Sequence, residues 1–252
     1  MANDRNKNEQ LTGKVFWNAT SSEYSADRTK SRKYVVDPAL FETIGEVSGQ
    51  KILDVACGAG DISIPLAQHG AICTGIDFAD DLIEVARKKT KQLGLQIKYR
   101  TMDARKIQGL PNDYDLAVVA LLFPHLPSKK DIASTIKGVA SILKPNGRLI
   151  VAEPHPAFDY YMRTRLGNGD FRYFESGLLY DFTMDIGSRS LQSQAYHWTL
   201  QDYSDILTEG GFVIRRITEP RPTAESEKLE PTWYQKKIKY PSYIILDCFR
   251  RT

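Results

Sequence analysis

Acids and glycines at a particular spacing carry the chemistry legible in this sequence: Asp54, Asp77 and Asp103, with Gly58 and Gly60 between the first two. Gly58 and Gly60 follow a short apolar run, Ile52, Leu53 and Val55, and let the chain turn sharply so that a ligand can approach the backbone. Asp54 lies inside that run, where an acid is costly unless paired. It is expected to hold the turn's amides or to face a ligand's ammonium group. Asp77 comes 19 positions after Gly58, close to the roughly 20-residue spacing at which an acid reaches ribose hydroxyls. A dinucleotide would need a third glycine to seat its pyrophosphate, but Ser63 stands there and Asp61 brings a carboxylate to the same place. A nucleoside whose far end is an amino acid fits better than a phosphate ligand.

These residues need strands and helices to position them. Ala71 to Ile76 reads as a second strand delivering Asp77, with Asp61 capping the intervening helix and Gly70 ending it. Upstream, Asp37 and Pro38 read as the cap and first turn of a helix striped by Leu40, Phe41 and Ile44. Downstream, Asp81 with Glu84, Ser128 with Asp131 and Thr199 with Asp202 have capping-box spacing ahead of helical stripes. Further strands are expected at Ile97–Met102, Tyr114–Leu122, Gly147–Glu153, Phe212–Thr218 and Tyr243–Phe249, the last two separated by a loop rich in Pro and Glu. Strands alternating with helices predict a doubly wound parallel sheet, whose carboxyl edge is where ligands bind. Between Pro154 and Tyr196 the helical pattern fails, and Phe158, Tyr160, Tyr161, Phe171, Tyr173, Phe174, Tyr180 and Phe182 crowd beside Gly167, Gly169, Gly177 and Gly187. The stretch reads as a long irregular insertion covering a substrate, or else as an extra subdomain or dimer face.

LDVACGAG resembles the first motif, near LDxGxGxG, of class I S-adenosylmethionine-dependent methyltransferases of the small-molecule type, with Ala56 where a glycine is usual. GID, MDAR, LKPNGRLIVAE and the closing HWTLQDYSDILTEGGFVIRRITEP resemble later motifs of the family, so the likeness runs from about Phe16 to Phe249. The resemblance implies a Rossmann-like, seven-stranded, mostly parallel sheet with an antiparallel last strand in three α/β/α layers. It implies S-adenosylmethionine as cofactor and S-adenosylhomocysteine as product. Carried over residue by residue, the cofactor would meet Tyr24, Asp54, Ala56, Gly58, Gly60, Asp77, Phe78, Asp103, Ala104 and Leu121. Residues 1–13 are expected to be disordered and 14–252 to form one domain, with an N-terminal flap at 14–36 and a substrate-covering insertion at 154–197.

Such a donor is already reactive, so the protein's task is to place a nucleophile in line in a dry site, with a base only if the acceptor must lose a proton. His155 and His125 follow predicted strands and are the candidates for that base, with His197 a third. The charged fraction of 26% and net charge of +3 are ordinary, which argues mildly against a nucleic-acid partner. Cys57, Cys73 and Cys248 are widely spaced, with neither a disulfide nor a zinc pattern, and no metal is expected. The polar N-terminus and the shortness of the longest apolar run predict a cytoplasmic protein without a membrane span. LLFPH after the fourth predicted strand lacks the Asp/Asn-Pro-Pro-Tyr/Phe pattern of enzymes that methylate nucleic-acid or glutamine nitrogens. The expected partner is therefore a small-molecule methyl acceptor, the chain a monomer or homodimer. The alternatives are an RNA or protein methyltransferase, or a non-catalytic protein that binds the cofactor.

Overall fold

The computed structural model describes residues 13–26, 28–158, 172–186 and 189–251. Most of the expected disordered N-terminus lies outside them, as do Tyr160, Tyr161, Gly167, Gly169, Phe171 and Gly187 of the insertion. The elements are helices α1 (Lys14–Ala19) and α2 (Ser21–Ala26), a π-turn (Arg32–Val36) running into α3 (Asp37–Ile44), then β1 (Lys51–Val55), α4 (Ser63–Gln68), β2 (Ile72–Asp77), α5 (Asp80–Gln92), β3 (Lys98–Thr101), β4 (Tyr114–Ala120), α6 (Lys129–Ile142) and β5 (Leu143–Pro154). Strands β6 (Leu179–Ile186) and β7 (Arg189–Tyr196) follow, then α7 (Leu200–Glu209), β8 (Phe212–Thr218), α8 (Ala224–Leu229), α9 (Pro231–Lys237) and β9 (Tyr243–Arg250). The main sheet has the order β3-β2-β1-β4-β5-β9-β8. Its first five strands pair in parallel and β9 runs antiparallel to both neighbours, as the seven-stranded expectation had it.

Both faces of the sheet are covered, and alternation along the strands assigns the sides. Leu53, Val55, Ala117, Val119, Leu149 and Val151 face the cluster built with Ile132, Ile136 and Val139 of α6 and Ile206 and Leu207 of α7. Their neighbours Ile52, Leu116, Val118, Ile150 and Ala152 face Leu40 and Ile44 of α3 and Leu66 of α4. Each fully buried aliphatic side chain stabilises the fold by roughly 1.5–3 kcal/mol. The order reverses at β1 and β4, so the crevice beyond their carboxyl ends is the place for a ligand.

The helix starts are partly as expected. Thr199 and Asp202 form a complete capping box, and Ser128 accepts from the Asp131 amide. Asp37, however, is the first residue of α3 and not its cap. The chain is already helical before it, and its carboxylate is held by Arg28 and Arg32. Asp61 does not cap α4, whose N-cap is Ile62 without a side-chain bond; it faces Arg28, Arg32 and Lys89 instead. Ala79 occupies the N-cap of α5, leaving Asp81 in the first turn and Glu84 paired with Arg87. For Asp37 and Asp61 nearby cations took the acid that local spacing had assigned to a cap; at α5 the helix starts earlier, at Asp80.

Two further corrections concern segments read as irregular. Within 154–197, β6 and β7 form an antiparallel hairpin with Leu179 opposite Tyr196. Tyr180, Phe182 and Met184 alternate with Asp181 and Thr183, the period of two proper to a strand. The Pro- and Glu-rich loop before β9 holds α8, capped by Thr223, and α9, opened by Pro231.

Candidate active site

A cavity of about 260 Å³ opens at the carboxyl ends of β1, β2 and β4. Its floor is the turn after β1. Ala56 and Gly58 have φ of 59° and 52°, the left-handed region, which turns the loop's backbone toward the space where a ligand would lie. That shape is pinned by Asp77. Its Oδ2 accepts from the Gly58 amide at 2.9 Å and its Oδ1 from the Ala79 amide at 2.9 Å. Burial raises the Asp77 pKa, and the amides of Ala79, Gly58 and Phe78 oppose that shift. Asp77, Ala56, Gly58 and Phe78 all line the cavity.

Asp54 and Gly60 serve the same turn from behind and do not line the cavity. Asp54 Oδ2 accepts from both the amide and the hydroxyl of Ser63, so Ser63 uses the place of a phosphate-binding glycine to pair a buried acid. Burial pushes Asp54 up to about 6, against those two bonds. At Gly60, with φ of 85°, a Cβ would lie 2.6 Å from the Tyr99 hydroxyl, so glycine there answers to packing as well as to the turn.

Asp103 and Ala104 line the cavity beyond β3. Asp103 accepts from the Arg105 amide at 2.9 Å and holds the Arg105 guanidinium at 2.6 Å, which keeps its carboxyl below the usual range. Leu121, directly after β4, lines the cavity with φ of 56°, a conformation uncommon outside glycine.

The N-terminal helices close one side. Trp17 meets Tyr24 edge-on at 5.0 Å and His125 edge-on at 5.2 Å, and all three line the cavity. Arg32 also lines it, within 3.1 Å of Asp37, 3.6 Å of Asp61 and 3.4 Å of the Tyr24 hydroxyl. Sequence reasoning passed over Arg32 because four cations share that segment and only the folded chain selects one. Trp17, Asp61 and Tyr196 are further wall residues absent from the sequence-based site.

The histidines separate cleanly. His125 is in the wall, and burial pushes its pKa down to about 4, leaving a neutral imidazole at physiological pH. His155, the first candidate from sequence, does not line the cavity. Its Nδ1 accepts from the Ala157 amide at 3.1 Å and its Nε2 lies 3.2 Å from Glu219. His197 is buried with Nε2 at 2.8 Å from the Tyr173 carbonyl and is likewise outside the wall. Among the described residues no three His, Cys, Asp or Glu groups come together as a metal site, and no helix is long and apolar enough to cross a membrane.

A sheet in this order, with a glycine turn after β1 and a buried acid after β2, defines the class I S-adenosylmethionine-dependent methyltransferase fold. Residues 52–147 match the family model described as a methyltransferase domain. The chain is similar to the ubiquinone biosynthesis O-methyltransferase of Coxiella burnetii, at 32% identity over 137 residues covering 53% of this chain and 57% of the relative. It thus spans little more than half the length of that relative. Among solved structures it resembles an S-adenosylmethionine-dependent methyltransferase from Listeria monocytogenes, with a TM-score of 0.67 at 23% identity over 85% of this chain and 96% of the other. It also resembles the magnesium protoporphyrin IX methyltransferase of Synechocystis, with a TM-score of 0.61 at 20% identity over 98% of both chains. At such identities the likeness is one of fold. Together these findings place a methyltransferase-domain match at residues 52–147 within a fold shared with S-adenosylmethionine-dependent methyltransferases.

Proposed function

We propose that this chain transfers a methyl group from S-adenosylmethionine to a small-molecule acceptor. The observation that carries the reading is a cavity with two unlike ends. One has an acid, Asp77, immobilised by backbone amides beside a left-handed turn; the other has a wall of Trp17, Leu122, His125 and Tyr196. In this reading Asp77 accepts from the ribose hydroxyls, and Asp103 offers the adenine amino group a lone pair not used by Arg105. Phe78 and Ala104 flank the base. Tyr24 and Arg32 meet the amino-acid end, where a guanidinium suits a carboxylate, while Asp61 suits the ammonium.

When bound, the cofactor supplies an activated methyl group. The chain's own part is to orient the acceptor and exclude water. His125, neutral and at the wall, accepts a hydrogen bond from the acceptor's hydroxyl or amine and can take its proton. A base this weak receives the proton only as transfer proceeds. Oxygen is the acceptor atom favoured by the name of the Coxiella relative. Tyr196 in the wall and Met184 packed against the Phe16 and Trp17 cluster support the hairpin as the acceptor's cover, with residues 14–36 as the flap.

The test is incubation with methyl-labelled S-adenosylmethionine and separate small-molecule, RNA and protein fractions of a cell extract. Label is expected in the small-molecule fraction; label confined to RNA or protein would overturn the reading.

A further inference from the structure

Glu153 lies in β5 with its side chain fully buried. One oxygen, Oε1, accepts from two consecutive amides, Leu122 at 3.0 Å and Phe123 at 3.1 Å, while Oε2 has no hydrogen-bond partner among the described residues. Burial pushes the carboxyl up to about 8, against those two amides, so at neutral pH most molecules carry it as a neutral acid. A buried acid without a counter-charge is a costly cap for two amides, and its position shows what that cost supports. The turn it holds begins at Leu121, whose left-handed backbone is uncommon for a leucine and must be imposed by its surroundings. The same turn is tied by Leu121 N to the Ala152 carbonyl at 2.8 Å, His125 N to the Leu122 carbonyl at 2.9 Å, and the Trp198 indole to the Phe123 carbonyl at 2.9 Å. Leu121, Leu122 and His125 from this turn stand in the cavity wall. Gly58 and Asp77, on the cofactor side, are held by a separate set of bonds.

We propose that Glu153 is a positioning residue for the transfer, fixing the turn through Leu122 and Phe123 and so the acceptor-side wall of Leu122 and His125, while leaving the Gly58–Asp77 seat of the cofactor alone. It acts through Leu122 and Phe123 and rests on the methyl-transfer reading for its catalytic meaning. Gln at this position keeps one carbonyl oxygen for both amides, whereas Asp is one methylene too short and Ala has no acceptor.

The experiment compares Glu153→Gln, Glu153→Asp and Glu153→Ala with the parent protein by two measurements: the His125 imidazole titration by NMR and S-adenosylhomocysteine binding by calorimetry. In the parent and the Gln variant His125 stays neutral down to about pH 4. In the Asp and Ala variants the loosened turn admits water and His125 titrates roughly one unit or more higher, while the dissociation constant moves by less than about threefold. The proposal is overturned if the Asp and Ala variants keep the parent titration, or if Gln shifts it as Ala does. Should Ala not fold, Asp and Gln decide between the same outcomes. Failure of the parent protein to bind S-adenosylhomocysteine would sink the methyl-transfer reading instead, and the His125 comparison would still decide whether Glu153 holds the turn.

Discussion

The Thr223 amide donates to the Tyr34 carbonyl at 2.9 Å, joining two segments almost two hundred positions apart. The bond answers a specific deficit. Tyr34 O is the acceptor that a regular helix would pair with residue 38, and residue 38 is a proline without an N–H. The preceding π-turn, in which the Asp37 amide reaches back to the Arg32 carbonyl, carries the helix past the defect and sets Arg32 at the cavity. The hydroxyl of Thr223 also caps α8. Thr223→Ala should lose only the cap and destabilise by about 1 kcal/mol; Thr223→Pro also removes the amide and should lose roughly 1–3 kcal/mol more. Urea unfolding of the two variants measures the difference, and equal losses would show that the Tyr34 carbonyl does not need this donor.

Arg32 joins stability to the site. It lies between Asp37 and Asp61, and burial raises the Asp37 pKa against the opposing charges of Arg32 and Arg28. Arg32→Met should destabilise by about 2–3 kcal/mol, at the low end for a broken buried pair because Arg28 still reaches Asp37 at 2.9 Å. Adding Asp37→Asn should restore part of that stability without restoring S-adenosylmethionine affinity, as read by thermal unfolding and calorimetry on the same samples. Recovery of both together would show that Arg32 matters to the cofactor only through the fold.

Glu153 makes stability depend on pH. Its folded pKa of about 8 lies above the ordinary 4.5, so between those values the folded chain holds a proton that the unfolded chain has released. Stability is full below the lower value and is lost as pH rises through the upper one. Asp54, at about 6 against 3.8, acts in the same sense at lower pH. Glu153→Gln removes the first contribution and leaves the second. Its stability relative to the parent protein should therefore rise between pH 5 and pH 8, by on the order of 1–3 kcal/mol. Denaturant midpoints across that range measure it, and parallel curves would place the Glu153 pKa near its ordinary value.

What the sequence made legible is what is local in the chain. Strand, glycine turn, helix, strand and acid from Lys51 to Asp77 follow one another without interruption, so the turn and Asp77 could be placed from spacing. The hairpin β6–β7 was equally local, since Tyr180, Phe182 and Met184 alternate with polar residues, but the aromatic crowding around it obscured that period. Arg32 and Glu153 were not legible. One depends on the π-turn that precedes Pro38 and on acids brought from two elements; the other depends on which amides β4 leaves exposed beside β5. The placement of His155 outside the cavity wall was not legible for the same reason: following a strand does not fix whether a side chain turns toward the cavity or toward Ala157 and Glu219.

Whether the Gly58–Asp77 unit holds S-adenosylmethionine is read by titration calorimetry with that ligand. The parent protein should bind with a single site, and Asp77→Ala should weaken binding by on the order of 10- to 100-fold, the worth of charge-assisted hydrogen bonds to two hydroxyls. Asp77→Asn, which keeps one oxygen for the Gly58 or Ala79 amide, should fall between them. Absence of binding by the folded parent protein, or an affinity unchanged in Asp77→Ala, would contradict the account.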